Sequence, residues 1–196
     1  MLRFLALLLL ASLAIAPTAI AQELPRETPK PPRDSKTRGV PYPPRGKAPV
    51  SGAVYIGDQA PDFQLDASSG EATKLSELRG DWIVLVFADR WRSVAPLRAA
   101  ERELRSIDAR LVTVCHEKQQ ALMRAAERDS VPFLMLADVT GEVSALYGLY
   151  DWKRSQTQPG FFILGQDGTV HIGVLGLVFP GDQLVYVAKL AMGAEE

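Results

Sequence analysis

Few side chains in this sequence could do chemistry. The only cysteine, Cys115, ends an apolar run (ARLVTVC) and is followed directly by His116 and Glu117. A deprotonated thiol is a nucleophile, and a neighbouring imidazolium favours that thiolate. Successive strand residues point to opposite faces, however, so Cys115 and His116 need not meet. Cys115 is therefore either a reactive thiol or, as is usual for a lone cysteine closing an apolar strand, part of the core. We favour the core interpretation.

A polar turn, Ala88–Ala95, is the second candidate site. It follows the apolar run Trp82–Phe87 (WIVLVF), which is rich in β-branched residues and predicts a strand buried on both faces. After it, Leu97–Ile107 has apolar residues at helical spacing and predicts an amphipathic helix. Ligands of α/β sheets bind where a central strand ends and a helix begins. The turn has this position, yet it contains no cysteine.

Ser93 and the two histidines, His116 and His171, complete the polar candidates. A serine nucleophile needs a base, and only these histidines are available. We predict instead that Ser93 caps the following helix. One cysteine and two separated histidines lack the paired spacing of a metal site. The sequence therefore predicts no metal and no cofactor.

Two short segments combine aromatic and basic residues: Arg90-Trp91-Arg92 in the turn and Trp152-Lys153-Arg154 in a later polar loop, Asp151–Gln158. Together they predict a rim for an anionic or peptide partner. The alternative is that one tryptophan seals the edge of the core while the basic side chains are only solvated.

The beginning of the chain resembles a targeting segment. Arg3 precedes the apolar run Phe4–Ala16, and Ala19-Ile20-Ala21 has the small-x-small pattern of a cleavage site. We predict a secretory signal peptide over residues 1–21, with an uncleaved anchor as the alternative. We therefore expect an exported protein, periplasmic or secreted, with no membrane span after signal removal. A single cysteine gives no internal disulfide in such a compartment.

Residues 22–50 form a predicted disordered linker. The segment has eight prolines and almost no large apolar residues, so it cannot bury enough surface to offset chain entropy. Seven basic residues oppose three acidic ones there, and Arg3 adds one positive charge. With a net charge of −1 for all 196 residues, the rest of the chain carries about −6. We interpret the linker as a spacer rather than a binding arm, and the acidic remainder argues against nucleic acid as a partner.

Residues 51–196 are predicted to form one domain. Apolar runs and turn residues predict strands at 63–65, 82–87, 109–115, 133–136, 161–164 and 169–174, with helical segments at 74–80, 97–107, 117–128, 141–148 and 182–192. The core order β-α-β-α-β-β-α is that of an α/β thioredoxin-like fold. Such a fold has a central mixed sheet flanked by helices, here with an N-terminal hairpin extension.

Three segments resemble the peroxiredoxin family, also called the alkyl hydroperoxide reductase and thiol-specific antioxidant family or redoxins. GDQAPDFQLDASSGEATKLSELRGDWIVLVF is similar to the opening of that family, VPFLMLADVTGEVSALYGLYD to its middle, and FFILGQDGTVHIGVLG to its closing hairpin. The resemblance covers essentially all of Tyr55–Leu190. It implies a thioredoxin-like fold and an ancestry in thiol-dependent peroxide reduction.

The resemblance also implies where a nucleophile would lie. Peroxiredoxins attack a peroxide with a thiolate in the first turn of a helix, where backbone N–H groups and an arginine lower its pKa. Their pattern Pro-x-x-x-Thr/Ser-x-x-Cys falls on residues 89–96. Ser93 fits that pattern and Asp89 departs from it. Pro96, which has no atom that can attack a peroxide, takes the cysteine position.

The thioredoxin-type pattern Trp-Cys-x-x-Cys recovers no thiol either. Trp91 fits it, but Arg92 and Ala95 occupy the two cysteine positions. Pro159 matches the cis-proline of thioredoxin-like folds, where backbone groups beside the proline pair with a partner's extended peptide. The alternative is that Pro159 is only a folding constraint.

These observations predict an exported redoxin-fold protein without peroxidase chemistry. It would be a binding or scaffold module of the cell envelope, with a protein or peptide ligand at a rim formed by Trp91, Trp152 and Pro159. The alternative is an antioxidant thiol-dependent peroxidase or thiol–disulfide oxidoreductase that uses Cys115. A third possibility is a small-ligand pocket where the family has its peroxide site.

Overall fold

The computed structural model describes residues 54–193. Its strands are β1 (Gln64–Ala67), β2 (Ala72–Lys74), β3 (Trp82–Ala88), β4 (Ala109–Cys115), β5 (Leu134–Ala137), β6 (Tyr150–Asp151), β7 (Gln156–Thr157), β8 (Gly160–Leu164) and β9 (Val170–Leu175). Its α-helices are α1 (Trp91–Val94), α2 (Arg98–Ser106), α3 (Gln119–Asp129), α4 (Glu142–Leu146) and α5 (Gly181–Met192), and 3-10 turns lie at Leu75–Leu78 and Ala95–Leu97.

Seven of the strands form one mixed sheet in the order β2-β1-β5-β4-β3-β8-β9, while β6 and β7 form a separate two-stranded ribbon. Strands β3, β4 and β5 are parallel, so their carboxyl ends lie at the same edge of the sheet. The remaining pairs in the sheet are antiparallel, including the N-terminal hairpin of β1 and β2. This is the α/β thioredoxin-like architecture predicted from the sequence.

Strand β3 lies inside the sheet, between β4 and β8, and both of its faces are apolar. Val84 and Val86 pack into the cluster that also contains Leu104 of α2 and Leu184 of α5. Phe87 points to the opposite cluster, with Tyr147 and Phe162. An apolar run without polar alternation is what a strand covered on both sides requires. The run therefore fixes the position of the turn that follows it.

The first helix begins earlier than the sequence suggests. Most of the predicted turn Ala88–Ala95 is helical, because α1 starts at Trp91 and is followed by the 3-10 turn Ala95–Leu97 before α2. Pro96 explains this break, since it has no N–H to donate to a carbonyl four residues earlier. The predicted loop Asp151–Gln158 also contains more structure than expected, because it includes most of the β6–β7 ribbon.

Residues 1–53 and 194–196 lie outside the described part of the chain. The signal peptide over 1–21, the linker over 22–50 and the domain boundary at 51 therefore stay predictions. Within residues 54–193, no helix combines the length and the apolar character that crossing a bilayer requires.

Candidate functional site

A polar cluster lies at the carboxyl edge of the parallel strands. Asp89 follows β3, His116 follows β4 and Asp138 follows β5. Nδ1 of His116 is 3.4 Å from Oδ1 of Asp89, and its Nε2 is 3.1 Å from the carbonyl oxygen of Val139. The imidazole therefore bridges the ends of the two outer parallel strands. Both ring nitrogens have their partners at this edge of the sheet, and the ring points away from the core.

Asp89 also fixes the β6–β7 ribbon. Its Oδ1 accepts a hydrogen bond of 3.4 Å from the N–H of Thr157, and its Oδ2 is 3.6 Å from Nε of Arg90. This carboxylate stands where the peroxiredoxin pattern has a proline. It thus contributes several internal contacts that a proline could not make.

Asp138 is the buried member of the cluster. Its side chain has no solvent exposure and accepts hydrogen bonds of 2.7 Å from both the backbone N–H and the hydroxyl of Ser144. The Thr157 hydroxyl donates to Ser144 Oγ at 2.9 Å. This chain of hydrogen bonds joins α4 to the ribbon. Sequence reasoning missed it, although an aspartate directly after a buried strand was a usable signal.

Helix α1 begins against the same cluster. The backbone N–H of Trp91 donates a hydrogen bond of 2.7 Å to Oε2 of Glu117. The Trp91 ring is half-buried against the core, and the guanidinium carbons of Arg92 and Arg128 lie 5.7 and 5.9 Å from its centroid. Trp91 therefore both closes the edge of the core and presents an aromatic face between two cations.

A row of aromatic rings continues along the ribbon. The His116 and Tyr150 rings meet edge to face with centroids 5.4 Å apart, and Tyr150 and Trp152 do so at 4.7 Å. Trp152 is 49% exposed, and the neighbouring Lys153 and Arg154 are exposed as well. Both aromatic and basic segments predicted from the sequence thus border the polar cluster, one through the Arg90–Asp89 ion pair and the other through the Trp152, Tyr150 and His116 rings.

Helix α1 carries no reactive group at the positions that match the peroxiredoxin pattern. Ser93 lies inside the helix with its side chain in solvent, so the predicted capping role of Ser93 is wrong: α1 starts two residues earlier, after Arg90. Arg92 and Pro96 are exposed, and Ala95 is partly exposed. None of these side chains is a nucleophile suited to a peroxide.

Cys115 lies in the core on the helix side of the sheet, and its exposure is 0%. Burial raises the pKa of its thiol to about 12; the charges of Glu117 and Asp89 act in the same direction, and the Thr113 hydroxyl opposes them. A reactive thiolate needs cationic, accessible surroundings. Cys115 is instead inaccessible, and the charged groups near it are carboxylates.

Pro159 is exposed at the start of β8, but the expected cis bond is not present: every peptide bond in residues 54–193 is trans. The backbone beside it is already paired, since Gly176 N–H donates to the Pro159 carbonyl at 2.8 Å and Gln158 N–H to Leu149 at 2.6 Å. The ends of β8 and β9 meet here, which uses those groups internally. Among the buried side-chain nitrogen and oxygen atoms of the described residues, Nε2 of Gln158 is the one without a hydrogen-bond partner.

Comparison with known proteins agrees with this architecture. The model of the AhpC/TSA family matches residues 56–172. The chain belongs to the AhpC/TSA family. The sequence resemblance to peroxiredoxins is thereby confirmed.

Relatives in this family are peroxiredoxins. Peroxiredoxin Bcp of Bacillus subtilis is 26% identical over 108 residues, which cover 52% of this chain and 69% of the relative. The selenocysteine-containing peroxiredoxin PrxU of Peptoclostridium acidaminophilum is 28% identical over 144 residues, covering 65% and 70%. The second name refers to a selenocysteine, whereas this AhpC/TSA member has one cysteine in its sequence.

Solved structures share the fold. Peroxidoxin BcpB from Mycobacterium tuberculosis superposes with a TM-score of 0.64 at 21% identity, covering 73% of this chain and 99% of that one. AhpC from Enterococcus faecalis gives 0.63 at 17% identity, covering 71% and 93%. At these identities the similarity establishes the architecture alone.

Proposed function

We propose that this protein is a non-catalytic member of the AhpC/TSA family that binds a protein or peptide ligand at the carboxyl edge of its sheet. The non-catalytic role rests on the complete burial of Cys115, the sole cysteine. With a pKa of about 12, about one thiol in 10⁵ would be ionised at neutral pH. Pro96 stands where the family resemblance puts the nucleophile, and it has no reactive atom.

The enzymatic alternative is a peroxidase or thiol–disulfide oxidoreductase that uses Cys115. What favours it is that the relatives are called peroxiredoxins. It requires the end of β4 to open, because Cys115 is the last residue of the middle strand of the parallel trio and is buried in the core under the helices. It also requires a thiolate to form beside the carboxylates of Glu117 and Asp89, although the negative charge of both raises the pKa of the thiol.

The binding half rests on the exposed groups around Asp89 and His116. Trp91 and Trp152 offer aromatic surface, and the neighbouring Arg92 and Lys153 offer positive charge. Aromatic side chains with nearby cations are typical anchors of protein interfaces. Because the backbone beside Pro159 is already paired, we propose recognition through side chains rather than through an added strand.

The proposed location rests on the sequence alone. The predicted signal peptide over residues 1–21 and the proline-rich linker over 22–50 are typical of an exported, tethered domain. We therefore propose a role in the cell envelope, periplasmic or secreted, as a binding or scaffold module.

The binding half is tested by panning a random peptide library on the full chain. Peptides enriched by the wild type should bind the Trp152→Ala and Trp91→Ala variants at least about tenfold more weakly. Tyr186→Ala, an exposed aromatic change on α5, is the matched control and should keep the affinity. Equal binding by all four proteins, or no enriched peptide family, would contradict a peptide site at this rim.

The chemical half is tested separately by treating the native protein with hydrogen peroxide and trapping sulfenic acid at Cys115. We expect no trapped product under conditions that oxidise an exposed model thiol. Rapid sulfenic acid formation at Cys115 would favour the enzymatic alternative. This outcome would leave the peptide-binding result unaffected, so the two halves fail independently.

A further inference from the structure

A groove lies at the opposite end of the parallel strands from the rim. Strands β4 and β5 first pair at Val112 and Leu134, and the chain segments before these residues diverge. The groove occupies that gap, next to Leu111 of β4. Leu111 lies four residues before Cys115, about 13 Å along the strand. The groove is therefore separate from the site described above and does not depend on its proposed function.

The groove has the size and the lining of a small-molecule site. Its volume is about 380 Å³, within the range of such sites. Its apolar lining comes from several elements that meet at this end of the sheet and includes Leu78, Leu111, Val131 and Phe133. The apolar lining fits an aliphatic or aromatic body.

Two arginines supply the polar part of the lining. Arg105 donates from Nε to Oε1 of Glu101 at 2.7 Å, and Arg110 forms an ion pair through Nε with Asp81. A guanidinium has five N–H donors, so each pair orients its arginine and leaves the terminal nitrogens with donors to spare. Arg105 and Arg110 therefore lie beside the apolar lining, half-exposed and with N–H donors free to bind a ligand.

Glu101 connects this charged part to the sheet. Its side chain is 6% exposed, and its Oε2 accepts a hydrogen bond of 3.3 Å from Leu111 N–H, on the β4 strand that lines the groove. The carboxylate thus satisfies a backbone donor before the β4–β5 ladder begins, while it holds Arg105. Glu101 does not line the groove, but this buried carboxylate links Arg105 and Leu111, which do.

We propose that this groove binds an amphiphilic monocarboxylate, with its apolar body along the partly exposed Leu78 and Val131 and its carboxylate on Arg110 and Arg105. Glu101 and Asp81 already offset the charges of the two arginines, so the head group binds to their spare N–H donors rather than to an excess of positive charge, and one negative group is the most that this arrangement supports. A multiply charged anion would meet these carboxylates without gaining an unpaired cation. Carboxylate and guanidinium have matching planar geometry, which favours this head group.

The test uses the full chain and three probes of equal chain length: octanoate, 1-octanol and octylammonium. Calorimetric titration should show octanoate binding below about 1 mM and at least tenfold more tightly than either other probe. In ¹H–¹⁵N spectra, octanoate should shift the N–H signals of Leu111, Phe133 and Ser69, which all belong to the groove lining.

Arg110→Gln is the first variant, since Arg110 is half-exposed and its loss leaves only the partly exposed Asp81 unpaired. It should weaken octanoate binding at least tenfold and leave 1-octanol binding unchanged. Ala126→Phe, which fills the groove without changing its charge, should weaken both probes. Arg102→Gln, an exposed change on α2 outside the groove lining, is the matched control and should change neither.

Three results would overturn the proposal. The first is no octanoate binding up to about 1 mM. The second is an affinity for octanoate that Arg110→Gln leaves intact. The third is a set of shifts centred on the exposed apolar residues Leu175, Leu177 and Tyr186 instead of the groove, which would indicate general detergent-like adsorption.

Discussion

The backbone N–H of Trp91 and the carboxylate of Glu117 are joined by a 2.7 Å hydrogen bond across the rim. Trp91 begins α1, and Glu117 follows β4. The first N–H groups of a helix lack partners within the helix and attract anions. In the peroxiredoxins that this sequence resembles, such N–H groups are expected to stabilise a thiolate. In this chain, an internal carboxylate occupies one of them.

Removing this carboxylate should destabilise the domain. Glu117→Ala leaves the Trp91 N–H without its acceptor, and we expect the free energy of unfolding to fall by about 1–2 kcal/mol in urea titrations. Glu117→Gln keeps an acceptor oxygen and should cost less. Glu127→Ala, an exposed change on α3, is the control and should stay within about 0.5 kcal/mol of wild type. A Glu117→Ala variant as stable as that control would show that the hydrogen bond contributes nothing.

The thiol of Cys115 should be protected by the fold. Iodoacetamide should leave Cys115 unmodified in the native protein and alkylate it completely in denaturant, because the side chain has no exposure. The double variant Pro96→Cys, Cys115→Ser provides the matched control, since position 96 is exposed. Its thiol should be alkylated without denaturant. Mass spectrometry measures both, and native alkylation of Cys115 at the rate of the control would contradict its burial.

Burial of Cys115 should also appear as a loss of stability in alkaline solution. Its pKa is raised from 9.0 to about 12 on folding, so the folded protein keeps a proton that the unfolded chain releases. The resulting stabilisation is complete below about pH 9 and is lost as the pH rises from there toward about 12.

Urea titrations at several alkaline pH values measure this effect. Burial also raises the pKa of Tyr147, which contributes in the same range, so the wild type must be compared with Cys115→Ala. The stability difference between the two should shrink by up to about 1.4 kcal/mol per pH unit above pH 9. A difference that stays constant through this range would mean that the thiol ionises as freely in the folded state.

The sequence predicts the framework of this domain better than its rim. The largely apolar runs of β3 and β4 predict strands buried on both faces, and the helix predicted between them predicts a parallel pair with a common carboxyl edge. The β6–β7 ribbon has two residues in each strand and is held by Thr157 contacts to Asp89 and Ser144. Such long-range contacts leave no local pattern in the sequence.

Two errors at the site have the same origin. The sequence placed a helix cap at Ser93, whereas a carboxylate after β4, that of Glu117, accepts the hydrogen bond at the start of α1. It also placed a cis bond at Pro159, whereas the backbone there is trans and already paired with Gly176 and Leu149. In both cases the hydrogen-bond partners found at these positions are distant in the chain, and spacing alone does not identify them.

The buried Asp138 should hold the ribbon and α4 together. Asp138→Ala removes the acceptor of two Ser144 hydrogen bonds and leaves those donors buried, so we expect a loss of about 2–3 kcal/mol in the free energy of unfolding. Amide exchange of Ser144 and Thr157 should accelerate first. Glu103→Ala, an exposed change on α2, serves as the control. Unchanged exchange at both amides would show that the network does not restrain the ribbon.

The most direct test of a non-catalytic role is hydroperoxide consumption by the purified full chain with a dithiol as reductant. We expect the wild type and Cys115→Ser to be indistinguishable from each other and from buffer, because the only thiol is buried and Pro96 occupies the nucleophile position. Turnover by the wild type that Cys115→Ser abolishes would contradict this account.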